Sequence, residues 1–211
     1  MKNCAVITAA GRSSRMGAFK PALPVAGRPA LLHLIDKLFS AGVSHIIVVV
    51  GFKQDLLRDL LAGEKNITIV NNPDFQNTQM FDSAKIGLRS LPDDSESVLL
   101  IPVDHPFVRE ETIRNVLNTD GDLVFPSYHM RRGHPLKISR EFIPDILNYS
   151  GPDGLRGFLR SFCVEPVYVV VEDQFTICDM DTPEDYRKLL QAYQKQEVNQ
   201  NDDAALHVEL P

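Results

Sequence analysis

Tryptophan is absent from the 211-residue chain, and cysteine occurs only at Cys4, Cys163 and Cys178. Thiols so few and so far apart make neither a disulfide framework nor a zinc spacing, and a reducing cytoplasm is the predicted setting. Long apolar runs are missing: none approaches the roughly eighteen residues of a membrane helix. The first residues also lack the apolar core and cleavage site of a signal peptide. There is no excess of positive charge, since 22 Lys and Arg face 28 Asp and Glu for a net charge of -6. That balance argues against a general nucleic-acid surface. What is present is ordinary for a soluble globular chain, 44% hydrophobic and 24% charged. The length suits one domain with a sizeable core.

One local absence says more. No acid precedes Asp36, yet Lys2, Arg12, Arg15, Lys20 and Arg28 all do. These cations surround a short apolar run, Cys4 to Ile7, that breaks into Ala9-Ala10-Gly11. The run suits a buried strand, and the small residues let a ligand approach the backbone closely. A basic, glycine-containing loop after a first strand points to a bound polyanion, because backbone N–H groups cradle phosphates and cations neutralise them. The plain alternative is a strand-to-helix turn with surface arginines, which leaves the acid-free pattern unexplained. Two familiar phosphate loops are excluded. Gly17 is followed by Ala18-Phe19-Lys20 rather than the P-loop spacing, and the Gly-x-Gly-x-x-Gly fingerprint is absent.

Further along, helical spacing covers Ala30–Ala41, closed by Gly42, and HIIVVV at His45–Val50 reads as a buried parallel strand. The alternation continues with helices at Gln54–Leu61, Thr78–Leu91 and Glu110–Leu117, and strands at Asn66–Val70, Ser97–Val103 and Asp122–Phe125. It predicts a three-layer α/β/α domain around a mostly parallel, twisted sheet. The order then loosens. One antiparallel strand is expected near Leu136–Ile138, helices near Glu141–Asn148 and Leu155–Phe162, a strand at Glu165–Glu172 and a last helix at Pro183–Gln196. The domain is thus placed at 1–196. Residues 197–211 have no Lys or Arg and little periodicity. They read as a mobile acidic tail, or alternatively as a partner-binding arm.

In an open parallel sheet, ligands bind beyond the carboxyl ends of the strands. The loop Ala9–Lys20 lies at such an end, and so does Asp104 after SVLLIPV. A carboxylate there suits Mg²⁺ beside phosphates, with a helix cap as the plain alternative. A second acidic cluster is Asp179-Met180-Asp181-Thr182-Pro183-Glu184-Asp185. Capping of a helix begun by Pro183 explains Thr182 to Asp185. It leaves unexplained Asp179 and Asp181, which share one face if the segment is extended. Between Asp122 and Glu141 there is no acid, only Arg131, Arg132, Lys137 and Arg140. Such a segment reads as a receiver of an anionic acceptor, or as a solvated basic loop. His33 and His45 fall within regular elements and read as structural.

The run AAGRSSRMGAFKPALPVAGRPAL resembles the signature loop of nucleotidyltransferases of the molybdenum cofactor cytidylyltransferase-like family, matching at Ala9, Ala10, Gly11, Ser13, Arg15, Met16, Gly17, Lys20, Gly27, Pro29 and Leu31. Further matches are Asn72, Pro73, Met80, Ser83, Gly87 and Leu88, with Gln79 in place of a glycine, then Asp104, Gly133-His134-Pro135 and Asp179 to Asp185. Gly151 to Arg156 is a looser match. The resemblance covers roughly residues 4–190. It implies a nucleotide-diphospho-sugar transferase-like, Rossmann-like fold and transfer of CMP from CTP to molybdopterin bearing molybdenum, with pyrophosphate released. It implies a nucleotide site at Ala9, Ala10, Gly11, Arg12, Ser13, Arg15, Lys20, Gln79 and Ser83. Arg15, Lys20 and Asp104 become the catalytic groups. Mg²⁺ falls to Asp104 and Asp181, with Asp179 second to Asp181. The acceptor falls to Arg132, His134 and Arg156. Arg15 and Lys20 are expected on an exposed loop. Ala10 stands where guanylyltransferases of the family carry glycine, which favours CTP over GTP. Sugar or polyol phosphates are the alternative acceptors, and a nucleotide-binding regulator that does not turn over is the alternative class. A molybdoenzyme or its maturation factor is the implied protein partner.

Overall fold

The first apolar run becomes the centre of a sheet because its side chains are buried on both faces. β1 (Lys2–Ala9) sends Ala5, Ile7 and Ala9 into one core layer and Cys4 and Val6 into the other. The computed structural model describes residues 2–161 and 165–206, with side chains in the last helix described as far as residue 196. After β1 the chain makes a short hairpin of β2 (Pro24–Val25) and β3 (Arg28–Pro29), then α1 (Ala30–Ser40), β4 (His45–Val50), α2 (Gln54–Leu60) and β5 (Ile67–Asn71). There follow α3 (Met80–Arg89), β6 (Ser95–Pro102), α4 (Glu110–Asn118), β7 (Leu123–Tyr128), β8 (Arg131–Arg132) and β9 (Leu136–Ser139). The rest is α5 (Ile143–Asn148), α6 (Gly154–Ser161), β10 (Val167–Val170) and α7 (Pro183–Leu206).

The main sheet runs β10-β7-β9-β6-β1-β4-β5, with β8 added to β7. β1 pairs in parallel with β4 and β6, β4 with β5, and β7 with β10. β9 is the expected antiparallel strand, wedged between β6 and β7. Apolar stripes of α1, α2 and α4 cover one face, and those of α3, α5 and α6 the other. In α1, Leu31, Leu34, Ile35 and Leu38 are all fully buried, each such side chain contributing about 1.5–3 kcal/mol. Helix α3 lies so close to the sheet that a Cβ at Gly87 would come within 2.4 Å of Val6 Cγ1. A third cluster, with Phe107, Phe175, Met180 and Leu189, seats α7 beside the carboxyl ends of the strands.

Differences from expectation fall at short strands and at the end of the last helix. The two-residue strands β2, β3 and β8 are below the length at which periodicity reads. β10 covers four residues rather than eight. α7 continues past its expected end at Gln196 to Leu206, because no glycine or proline interrupts the chain after Pro183 until Pro211. Of the expected tail, 207–211 lie outside the described residues. Cys4 and Cys178 are free thiols, and Cys163 also lies outside the described residues. Among those described, no helix is long and apolar enough to cross a membrane.

Candidate active site

Three backbone links gather distant residues at one edge of the sheet. The Val103 amide donates to the Thr8 carbonyl at 3.1 Å, aligning the ends of β6 and β1. The Met180 amide donates to the Asp104 carbonyl at 3.1 Å. The Phe52 amide donates to the Ala10 carbonyl at 3.1 Å, tying the loop after β4 to the loop after β1. Met180 is fully buried. Its flanking residues Asp179 and Asp181 therefore turn away from that core, which is the alternation expected of an extended segment. Beyond them, the Thr182 hydroxyl and Asp185 carboxylate cap α7 reciprocally, with the Thr182 amide 3.0 Å from Asp185 Oδ2 and the Asp185 amide 3.2 Å from Thr182 Oγ1.

The result is a charged knot. Lys20 Nζ lies 3.1 Å from Asp104 Oδ2 and 2.6 Å from Asp181 Oδ1. Arg15 Nη2 lies 2.7 Å from Asp181 Oδ2. The hydrogen bond from Lys20, with the charges of Lys20 and Arg15, holds the Asp181 carboxyl below its ordinary range. Burial pushes the Lys20 ammonium down, but the charge of Asp104 and bonds to both carboxylates outweigh it and leave it raised. Partial burial, then the charges of Asp181 and Asp104, push Asp179 up. Arg15 is exposed, as expected of the loop. Lys20 is not: it sits in a 3-10 turn, Lys20–Ala22, and is only 8% exposed. Proline at the second position of that turn and its buried neighbour Phe19 fold the lysine inward onto the carboxylates.

One cleft takes in Lys20 and Asp104 of this knot, and it shares Thr8, Gln79, Met80 and Pro102 with a second cleft beside it. The first, of about 190 Å³, is lined by Ala9, Ala10, Gly11, Ser13, Lys20, Gln79, Ser83 and Asp104. It also takes Thr8, Phe75 and Thr78, which sequence reasoning did not single out. The Asn72-Pro73 turn is the signal that places Phe75. Arg12 stands aside, its guanidinium 5.8 Å from the Phe75 ring centroid. The Ser83 hydroxyl already accepts from Asn72 Nδ2 at 3.0 Å, so it braces the turn as well as lining the cleft. Gln79 precedes α3, where its amide donates to Asp82 Oδ2 at 2.8 Å. A small polar recess of about 150 Å³, lined by Ser13, Ser14, Arg15, Lys20 and Asp181, adjoins the first cleft.

The second cleft, of about 300 Å³, takes in His134 and Arg156 among the apolar side chains of Met80, Phe81, Leu100 and Leu155. The His134 ring lies 4.6 Å from that of His105, and burial pushes its pKa down to about 3. Arg156 is carried by α6 on a tightly wound turn. A Cβ at Gly157 would come within 1.9 Å of the Pro152 carbonyl oxygen, so only glycine closes it. The expected cationic face over 128–140 does not form. Arg132 stacks at 5.5 and 5.2 Å over Phe125 and Tyr168 near the sheet edge. Lys137 donates to the Leu117 and Thr119 carbonyls at 2.9 and 2.7 Å, satisfying the end of α4. Arg140 donates to the Pro92 carbonyl at 3.0 Å and Ser95 Oγ at 2.6 Å. Strand pairing spreads these residues along a sheet and spends their charge on local partners. His33 packs edge-on to Tyr193 at 5.7 Å, and His45 Nε2 pairs with Thr68 Oγ1 at 2.9 Å.

Asp104 and Asp181 offer hard oxygen donors, partly open to solvent at 22% and 23% side-chain exposure. Among the described residues, no group of three or more His, Cys, Asp or Glu could hold a metal ion. A two-carboxylate site fits Mg²⁺, which is ordinarily held by one or two carboxylates together with substrate phosphates and waters.

Residues 5–167 match the MobA-like NTP transferase domain family. The chain belongs to that family. As a MobA-like protein it is a nucleotidyltransferase. It is 30% identical over 183 residues to the molybdenum cofactor cytidylyltransferase of Escherichia coli, covering 86% of this chain and 92% of that one. Its fold is shared with a nucleotidyl transferase from Methanothermobacter at TM-score 0.80 and 22% identity, over 92% of this chain and 99% of that one. Rv0371c from Mycobacterium tuberculosis, solved as a complex with manganese, aligns at TM-score 0.73 and 23% identity, over 90% and 99% of the two chains. Asp181 lies beyond the residues that match the MobA-like domain.

Proposed function

We infer that this chain transfers a cytidylyl group from CTP to a phosphate-bearing acceptor, a molybdenum-bearing molybdopterin, and releases pyrophosphate. The observation that carries the reading is the meeting of Lys20, Asp104 and Asp181 beside a cleft floored by Ala9, Ala10 and Gly11. In this reading the triphosphate enters the first cleft and the polar recess beside it, and Lys20 and Arg15 bind its β- and γ-phosphates. They stabilise the pyrophosphate as it leaves. Asp104 and Asp181 hold a Mg²⁺ ion, which when bound polarises the α-phosphate. The acceptor lies in the second cleft, its phosphate toward Arg156 and its body against Leu155 and Phe81. Its nucleophilic oxygen reaches the α-phosphate across the shared seam at Thr8 and Pro102. A phosphate monoester is largely ionised near neutral pH, its second pKa being about 6, so no general base is required. Positioning and charge stabilisation carry the rate. The reaction takes place in the cytoplasm, and a molybdoenzyme or its maturation factor receives the product.

Ala10 narrows the cleft where its backbone meets the base, and it is buried at 6% exposure. A pyrimidine fits there better than a purine. Pyrophosphate release from CTP and GTP, against molybdopterin with molybdenum, a sugar 1-phosphate and a polyol phosphate, tests both halves of the reading. CTP with the pterin is expected to turn over fastest. Ala10→Gly is expected to shift the CTP-to-GTP ratio of kcat/KM about tenfold toward GTP, a change of about 1.4 kcal/mol. Faster turnover with a sugar or polyol phosphate overturns the acceptor, and a wild-type preference for GTP overturns the base.

A further inference from the structure

Lys20 already occupies the place between the carboxylates that the proposed function gives to a divalent cation. Its Nζ is 3.1 Å from Asp104 Oδ2 and 2.6 Å from Asp181 Oδ1, while Arg15 holds the second Asp181 oxygen at 2.7 Å. Two cations thus balance two carboxylates. We propose that Lys20 and a divalent cation exclude one another at Asp104 and Asp181, so that metal enters only with a polyphosphate that takes Lys20 in exchange. The proposal rests on the metal site read above, and its test separates the two.

The lysine side chain is only 10% exposed. A metal arriving alone strips it of both partners and leaves a buried ammonium next to a second positive charge. Breaking a buried pair from one side is strongly unfavourable, because the remaining charge stays uncompensated. The metal gains little in return, with two carboxylates and no third acidic, histidine or cysteine ligand among the described residues. A polyphosphate reverses both terms. Its anionic oxygens give Lys20 and Arg15 new partners, and they complete the metal's oxygen shell. Arg15, at 74% side-chain exposure, swings without a desolvation penalty. Metal and polyphosphate therefore strengthen each other's binding, and linkage makes that coupling reciprocal. Lys20 has two successive tasks: it neutralises the empty carboxylates, then it holds the leaving group.

Equilibrium dialysis of Mn²⁺ against the full chain, with and without tripolyphosphate, reads the exchange without turnover. Wild type is expected to retain little Mn²⁺ alone and at least about tenfold more with tripolyphosphate, within the 5–150-fold range usual for coupled sites. Lys20→Met, a neutral chain of similar length, is expected to retain Mn²⁺ without tripolyphosphate, and Asp104→Asn in the same chain to abolish that gain. Equal retention by wild type and Lys20→Met overturns the exclusion and leaves the metal site standing. Retention by no protein, even with tripolyphosphate, overturns the metal site and the exclusion together. If Lys20→Met does not give a cooperative thermal melt, the neutral but polar Lys20→Gln carries the test. It is likewise expected to retain Mn²⁺ without tripolyphosphate, and retention equal to wild type overturns the proposal.

Discussion

At the first cleft the charged side chains are bound to one another, whereas at the second a cation, Arg156, rides on a turn closed by glycine packing among apolar walls. The two sites share a wall but are held by different forces. Ion pairs fix Lys20, Asp104 and Asp181, so their geometry depends on charge. Steric closure fixes Arg156, so its position depends on the volume available at Gly157. In the proposed reading, one triphosphate donor serves reactions with many acceptors and suits a receiver built from exchangeable ion pairs. Acceptors differ in shape, and a site held by packing would change its selectivity through small changes in volume.

The comparison breaks most visibly at the charged end. Asp104→Asn is expected to reduce pyrophosphate release by about 10²–10³-fold, as does removal of one preorganised transition-state partner elsewhere. Its thermal midpoint should stay within a few degrees of wild type. A variant with near-wild-type rate at saturating Mg²⁺ would show that charge at that carboxylate is not needed. Asp181→Asn should behave alike, and Asp179→Asn, whose carboxyl forms no ion pair among the described residues, should be milder.

Next in size is Gly157→Ala. The added Cβ meets the Pro152 carbonyl oxygen, and overpacking of this kind costs about 1–3 kcal/mol. Acceptor KM should rise while nucleotide binding, followed by calorimetry, is unchanged. Equal weakening of both ligands would merge the two clefts into one mechanical unit. Arg156→Gln is expected to raise acceptor KM by about tenfold, the loss of one charge-assisted bond of about 1.5 kcal/mol, with stability untouched. An unchanged acceptor KM would place the acceptor elsewhere.

The smallest effect is on acid stability. Burial lowers His33 to about 4 and His134 to about 3, and it lowers His105 as well. The unfolded chain binds protons at these rings below about pH 6.5, while the folded chain keeps them neutral. Their contribution is therefore fully present above pH 6.5 and is lost progressively as pH falls toward 4 and 3. Urea midpoints should decline steadily from pH 6.5 to 4, and His33→Gln should flatten part of that slope. A flat midpoint across this window would show that these rings take up protons without unfolding.

The elements that frame the first cleft were legible because their signals are local. A β-branched run, a small-residue turn and a charge pattern, all before Gly51, placed β1, β4 and the loop between β1 and α1. The joining of Lys20 to Asp104 and Asp181 was not, since the partners are 84 and 161 positions apart and nothing local to Lys20 encodes them. An exposed lysine was the natural reading of a basic loop, and the turn that buries it depends on tertiary contacts. His134 and Arg156, which line the second cleft, were singled out in the sequence through motif matches alone. The apolar wall of Phe81 and Leu155 reads in sequence as ordinary helix core, and the fate of Arg132, Lys137 and Arg140 was set by strand register.

The hydrogen bond from the Met180 amide to the Asp104 carbonyl has a meaning in time as well as in space. A ribosome lengthening the chain by about 5–20 residues per second delivers Asp104 several seconds before Asp181. By the time Asp104 is made, the residues of β5, β4, β1 and β6 have been synthesised, and Lys20 has one of its two carboxylate partners. The last acid arrives on a segment clamped by one amide and one buried methionine. In the proposed reading the second carboxylate of the knot is thus withheld until most of the protein has been made, and a product that ends before Asp181 leaves Lys20 with Asp104 alone.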